Sequence, residues 1–425
     1  MAIIHEAVQK QAGLTLHIVN TGKYKTNTFV WKMKAPLEQE TVTLRSLLPY
    51  VLQSSTATYP STTALRSYLD DLYGASLYVD LSKKGEYQII TITLEIANEK
   101  FLTDSTPLLR KGMELLSDVL FNPHVNGSSF DSATVENEKR SLKQRIQSQY
   151  DDKMRYSANR LVEEMCKNEP YALDVNGELE GIDAISPETL YEYYQKALQE
   201  DELDLYVIGD VNEEEVQQAA GSLFRLEDRT PLVSRGSVDK EIQDVNEVIE
   251  NQDIKQGKLN IGYRTHVVYG DSDYYALQVF NGIFGAFSHS KLFINVREKA
   301  SLAYYASARL ESHKGLLMVM SGIENKNYEQ AVRIIKEQME AMKKGDFTEQ
   351  EISQTKAVIR NQLLETIDIG RGLVEILYHG VVSGIPVDMD DWLEQTDKVT
   401  ASEITEVAQK IEMDTIYFLT GSEGK

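Results

Sequence analysis

The chain has 425 residues, 42% of them hydrophobic and 26% charged, with a formal charge of -22. That length exceeds one ordinary core and predicts roughly two to four domains, while the charge repels nucleic acid and anionic membranes, with no basic run to offset it. No apolar run approaches the roughly 18 residues that a bilayer span needs, and Glu6 interrupts the N-terminus too early for a signal peptide, so the expectation is a cytoplasmic protein.

In chain order, residues 14–19 and 28–33 read as strands either side of a turn at Gly22, and residues 38–52 have helical periodicity. A helix over 63–73 ends at Gly74 in a C-cap position. A hairpin follows over 75–82 and 87–96, then helices near 103–120, 130–165 and 187–199, and a strand over 203–209. The second part repeats this order: a strand over 258–263, helices near 271–284 and 290–299, and a hairpin turning at His313-Lys-Gly. Helices near 326–344, 348–382 and 401–411 and a strand from Ile416 complete it. Ser186-Pro-Glu-Thr and Thr400-Ala-Ser-Glu are matched helix starts at matched points, each with a hydroxyl cap and an acid in the first turn.

Two copies of one α+β unit is therefore the predicted fold: two homologous halves, each a mixed, mostly antiparallel sheet with helices packed on it, arranged as a clam-shell. The halves are placed at 1–226 and 257–425. Residues 227–256, polar and weakly periodic with Thr-Pro and Ser-Arg-Gly-Ser, are read as the linker. The single cysteine, Cys166, rules out an internal disulfide, and its helical spacing among acidic neighbours marks a structural thiol, not a nucleophile.

The stretch that concentrates chemistry runs from Lys291 to Tyr305. Leu292, Phe293, Val296 and Lys299 fall at helical spacing, and the residues from Ala300 suit a strand, so Arg297 sits near a helix end and Tyr304 near a strand start. A guanidinium and a phenol held at such a junction can receive a carbonyl oxygen or an oxyanion. The plainer reading is a surface arginine and an ordinary strand aromatic.

With Asn281-Gly-Ile-Phe-Gly-Ala-Phe-Ser-His-Ser before it, this stretch resembles the Leu-Gly-Gly, Ser-Arg-Leu-Phe, Arg-Glu-Lys, Gly-Leu-Ala-Tyr segment of the insulinase/pitrilysin (inverzincin) metallopeptidases. Residues 171–190, Tyr193-Tyr and Val207-Ile-Gly-Asp are similar to the same family's later motifs, so the resemblance covers nearly the whole chain. It implies that Arg297 and Tyr304 are a functional pair reaching a zinc site on an N-terminal half. Ser301 stands where the family usually has Gly.

Family members that cleave peptides carry His-x-x-Glu-His on the first helix, two nitrogen ligands on one helical face and a general base between them, with a Glu ligand on a later helix. Here the resemblance places Ser46, Pro49 and Tyr50 at the three motif positions, and Gln144 or Arg145 at the later one, where an arginine opposes a dication. Tyr78-Val79 stands where the family has Asn-Ala, which argues against a substrate groove on this half. No two of the seven histidines lie three or four apart, and there is no Walker lysine loop, Gly-x-Ser-x-Gly or Cys-x-x-Cys.

Ligands lost in the first half and donors kept in the second resemble the mitochondrial-processing-peptidase-like subunits that lack the zinc motif. The resemblance implies a non-metal-binding subunit of a heterodimeric zinc peptidase: Arg297 and Tyr304 orient the scissile carbonyl of a peptide beside zinc held by a homologous partner with intact His-x-x-Glu-His. This chain then binds no metal and cleaves nothing alone. The alternatives are an inactive homologue serving as a scaffold and a free-standing peptide-binding chamber.

Overall fold

The structure, a computed structural model, describes residues 3–103, 106–234 and 242–421. Alternation builds its strands. In Thr26–Pro36, Phe29, Trp31 and Met33 point into an apolar core while Thr28, Lys32 and Lys34 point to the opposite face, the period-two pattern of a strand. The first sheet consists of β1 (Ala7–Gln11), β2 (Leu14–Asn20), β3 (Thr26–Pro36), β4 (Ser76–Lys84), β5 (Tyr87–Ala97) and β6 (Glu202–Gly209), in the order β1-β2-β6-β3-β5-β4. The second consists of β7 (Asn246–Gln252), β8 (Gly257–Arg264), β9 (Ala303–Glu311), β10 (Leu316–Ile323) and β11 (Glu412–Gly421), in the order β7-β11-β8-β10-β9.

Matching β2 to β7, β6 to β11, β3 to β8, β5 to β10 and β4 to β9 superposes the two orders, including the one parallel pair in each, β2 with β6 and β7 with β11. The fold is α+β with two homologous mixed sheets. Strand β7 lies inside the 227–256 stretch that the sequence reading leaves as linker; its residues Asn246-Glu-Val-Ile-Glu-Asn-Gln are mostly polar, because only one of its edges is paired and little of it is buried.

The helices follow the expected series with breaks. Residues 130–165 form two helices, Ser132–Asp151 and Lys153–Met165, because Asp152 turns its carboxylate back to cap the N–H groups of Met154 and Arg155. Residues 348–382 likewise divide into Glu349–Thr366 and Gly370–Ser383. Both matched helix starts are capping boxes, Ser186 with Thr189 and Thr400 with Glu403. Helices Glu213–Leu223 and Met389–Lys398 are additions to the sequence reading.

The chain divides into two compact units that are not contiguous: Met1–Gln147 with Leu173–Arg235 and Ile367–Ile376, and Ser148–Ala172 with Gly236–Thr366 and Leu377–Lys425. Each half of the sequence thus lends a segment to the other unit. In the first unit the lent residues meet the polar sheet face: Glu375 accepts from the fully buried Lys32 at 2.6 Å, and Gly370 lies so close to Thr28 that a Cβ would come within 2.8 Å of its hydroxyl. In the second unit, helix Lys153–Met165 packs on β8 and β11, where Gly262 leaves room for Met165.

Candidate functional site

In the first unit the helix Val42–Ser54 presents Val42, Leu47, Leu48, Val51 and Leu52 to the sheet, and that apolar stripe fixes which residues face elsewhere. Arg45 is fully buried beneath it, its guanidinium bonded to Asp201 at 2.7 Å, the Tyr193 hydroxyl at 3.0 Å and the Met33 carbonyl at 3.0 Å. Ser46 is buried and donates to the carbonyl of Thr43 in its own helix at 2.8 Å. Pro49 is buried within the helix. Tyr50 lies half-buried under Arg145, whose guanidinium carbon is 3.5 Å from the centre of its ring.

The structure therefore brings Tyr50 and Arg145 together, whereas Gln144 is exposed. Burial lowers the affinity of the Arg145 guanidinium for its proton, with Tyr50 and Glu138 opposing; burial raises the Tyr50 phenol, with Arg145 opposing. At neutral pH the pair is a cation stacked on a neutral phenol. A hydroxyl turned on its own helix, a pyrrolidine, a neutral phenol and a guanidinium do not fit zinc, which needs imidazole, thiolate or carboxylate. Among the described residues no group of three or more His, Cys, Asp and Glu is placed to hold a metal ion. Beside Tyr50 is a cavity of about 250 Å³, lined also by Gln53, Ser54, Arg66 and Glu138, in which Ser54 donates to Glu138 at 2.8 Å. Strand β4, carrying Tyr78 and Val79, is an edge of its sheet, and Gln53 donates to its Leu77 carbonyl at 2.8 Å.

In the second unit, Arg297 lies on the π-helical turn Phe293–Lys299, where the sequence spacing predicts an α-helix. The difference lies in the last turn. Ala300 N–H reaches back five residues to Asn295 and Leu302 N–H six residues to Val296, which widens the coil before β9 begins. Leu292 and Val296 are fully buried, so Arg297 points outward, its guanidinium carbon 4.7 Å from the centre of the Phe293 ring. Ser301 then takes φ +52°, the left-handed conformation that glycine adopts freely.

Tyr304 follows near the start of edge strand β9 and is 68% exposed, while Ala303 and Ala306 are buried. Among the described residues neither the Arg297 guanidinium nor the Tyr304 hydroxyl has a hydrogen-bond or ion-pair partner. Both donors flank one turn and face solvent. A second π turn, Gly282–Ala286, packs on β9, where a Cβ at Gly285 would meet Ala308 at 2.6 Å. Gly285 is the sequence signal for that close approach, while Gly282 leaves room for Thr355 and Phe287; the π geometry itself has none.

Sequence-distant groups that spacing could not reveal also meet. His313 Nε2 lies 2.7 Å from His379 Nδ1, with Tyr269 stacked on His379. Arg264 bonds Glu169 and Asp414, and Lys314 bonds Glu169, in a buried cluster. Cys166 is fully buried at the end of its helix, as expected of a structural thiol.

Residues 184–359 match the family described as the Peptidase M16 inactive domain. Over 425 residues the chain is 57% identical to the "Probable inactive metalloprotease YmfF" of Bacillus subtilis, covering all of both chains. It is 34% identical to a conserved protein of known structure from Enterococcus faecalis, covering 99% of each chain with a TM-score of 0.90. It is 23% identical over 316 residues to the mitochondrial-processing peptidase subunit beta of Saccharomyces cerevisiae, covering 69% of this chain and 66% of that one.

Proposed function

The chain belongs to the M16 peptidase family as a homologue without the zinc ligands, and from that premise we propose that it is the non-metal subunit of a heterodimeric zinc-dependent peptidase. The carrying observation is the contrast between a plugged first-unit position, Arg145 on Tyr50, and two exposed second-unit donors that have no hydrogen-bond or ion-pair partner among the described residues. Leaving a guanidinium and a phenol unused costs nothing on a surface, but their retention at the family positions suits a role completed by another chain.

In this reading the partner is a homologous subunit with intact His-x-x-Glu-His that holds zinc, and the pair works in the cytoplasm on a peptide. Arg297 donates to the scissile carbonyl oxygen and Tyr304 Oη adds a second donor, so that charge developing on that oxygen meets donors already in place. In this reading the water is activated at the partner's zinc, not by this chain. The alternative, an inactive homologue acting as a scaffold or peptide-binding protein, is favoured by one finding: the B. subtilis relative is itself named as a probable inactive metalloprotease.

The test is reconstitution. The chain is mixed with a zinc-bearing homologue from the same cell, and peptide cleavage is compared with either chain alone. Cleavage by the mixture well above the sum of the two supports the shared site; a mixture no better than the zinc-bearing chain by itself leaves the scaffold reading. Metal analysis of the isolated chain belongs beside it, with about one tightly held zinc per chain as the result that removes the premise.

A further inference from the structure

We propose that the second unit binds an organic ammonium or guanidinium group in the cavity walled by Tyr269, Tyr275 and Trp392 and rimmed by Asp271, Asp388 and Asp391. The cavity holds about 370 Å³, within the range of small-ligand sites and too large for a bare ion. It goes beyond the shared-site reading and does not depend on it.

Three observations converge on a cation. The first is the aromatic wall. The rings of Tyr274, Tyr275 and Trp392 meet edge to face, Tyr274 to Tyr275 at 5.7 Å and 64°, and Tyr275 to Trp392 at 6.2 Å and 72°, while Tyr269 lies 5.7 Å from Trp392. Tyr269 also stacks on His379 at 4.9 Å and 19°, so the wall is one packed aromatic cluster, and aromatic rings lining a cavity attract alkylammonium heads. Trp392 is held in place by its indole N–H, which donates to Gln278 at 3.2 Å.

The second is the charge of the lining. No lysine, arginine or histidine lines the cavity, and Asp271, Asp388 and Asp391 each spend one oxygen locally. Asp271 accepts from Val268 N–H at 2.8 Å, Asp388 from the N–H groups of Asp390 and Asp391, and Asp391 from the Gln395 amide at 2.9 Å. Among the described residues none of the three has an ion-pair partner, although acids close by do: Asp273 pairs with Lys410, Glu394 with Lys398, and Asp397 with Arg360. The third is that this field reaches the wall. The Tyr275 phenol is held above its ordinary pKa, first by burial and then by Asp391 and Asp388.

An anion meets repulsion here, and a purely apolar ligand desolvates carboxylates for no return. Ile385, Pro386 and Val387 along one side suit the alkyl stem behind a charged head. The ammonium or guanidinium can come from a free amine or from a lysine or arginine side chain of a peptide.

The full chain is titrated calorimetrically with choline, its neutral isostere 3,3-dimethylbutanol, spermidine and a short lysine-containing peptide. The same is done with Tyr275→Leu and with Asp388→Asn/Asp391→Asn, in which Asn keeps the helix cap. The expected result is saturable binding of at least one cation and none of the isostere, weakened about tenfold or more in both variants at unchanged melting temperature. Binding of choline or spermidine identifies a free amine as sufficient; binding of the peptide alone identifies a side chain. Absence of saturable binding by every cation overturns the proposal, as does binding that both variants retain, which marks diffuse attraction to a chain of charge -22.

Discussion

The two units share a strand order and both bury ion pairs, Arg45 with Asp201 in the first and Arg264 with Glu169 and Asp414 in the second, but they differ in how they place the arginines of the candidate site. In the first, Arg45 and Arg145 are consumed internally, one by Asp201 and Tyr193 under the helix Val42–Ser54, the other by the face of Tyr50. In the second, Arg297 stands on a widened turn at the sheet edge with its guanidinium over the Phe293 ring and, among the described residues, no hydrogen-bond or ion-pair partner. In the first unit the Arg145 guanidinium stacks on Tyr50 beside a cavity of about 250 Å³, whereas in the second Arg297 and Tyr304 face outward, where they contribute little to stability.

That contrast is broken most sharply by paired arginine variants. Arg45→Leu leaves Asp201 buried without its partner, and removing one member of a buried pair costs roughly 3–5 kcal/mol; the expected outcome in denaturant titration is loss of the first unit's folded baseline. Arg297→Ala is expected to shift stability by less than about 0.5 kcal/mol. In the reconstituted complex the order inverts: Arg297→Ala or Tyr304→Phe lowers turnover about 10²–10³-fold, roughly 3–4 kcal/mol, with assembly intact. Near-normal turnover in both variants would eliminate the shared site.

The next largest effect is a pH dependence seated in the first unit. His17 is buried between Glu6, 2.8 Å from Nδ1, and Asp204, 3.0 Å from Nε2, and stacks on Tyr206. Burial opposes its charge, but the two carboxylates outweigh it and hold the imidazole up to about 9. A folded-state pKa above the unfolded 6.5 means that the stabilisation is complete below about pH 6.5 and lost as pH rises to 9, roughly 3 kcal/mol in all. The corresponding strand pair of the second unit holds the opposite charge: Glu250 accepts from Tyr156 and Tyr417, each at 2.7 Å, beside Arg160. Burial pushes the Glu250 carboxyl up, and these partners carry it below its ordinary value; its contribution is present above about pH 4.5 and lost toward acid. Unfolding midpoints followed from pH 6 to 9 should fall in wild type and stay flat in His17→Gln.

How much of this was legible follows from range. The capping boxes at Ser186 and Thr400 and the alternation in β3 are local patterns, and sequence alone located them. Strand β7 was hidden because a polar edge strand lacks alternation, and the break at Asp152 because one capping side chain overrides a continuous helical period. The lending of 148–172 and 367–376 between units depends on contacts such as Lys32 with Glu375, over three hundred residues apart, which no window can see. At the site, the resemblance left Gln144 and Arg145 as alternatives, and only the structure separates their surroundings, with Arg145 packed on Tyr50 and Gln144 exposed.

A smaller change tests whether the plug is structural. Arg145→Ala removes a partly desolvated cation from the Tyr50 ring and is expected to cost about 1 kcal/mol, read as a lower denaturant midpoint with unchanged slope. A neutral or stabilising result would mean that the burial of Arg145 outweighs its stacking, and that the first unit has tolerated the arginine without gaining from it.

The smallest effect bears on the second unit's turn. Ser301 is left-handed at φ +52°, which costs a side chain roughly 1–2 kcal/mol, and its hydroxyl returns only a long bond to the Glu298 carbonyl at 3.3 Å. Glycine removes the strain but makes the unfolded chain looser by about 0.4–1 kcal/mol. Ser301→Gly is therefore expected to stabilise by about 0.5 kcal/mol, a rise of roughly 1–2 °C in melting temperature. The same substitution relaxes the joint between Arg297 and Tyr304 without touching either donor. If Ser301 serves to stiffen that joint, turnover of the reconstituted pair falls as stability rises; if turnover is unchanged, the left-handed turn alone positions the donors, and the serine is a departure that the fold absorbs at small cost.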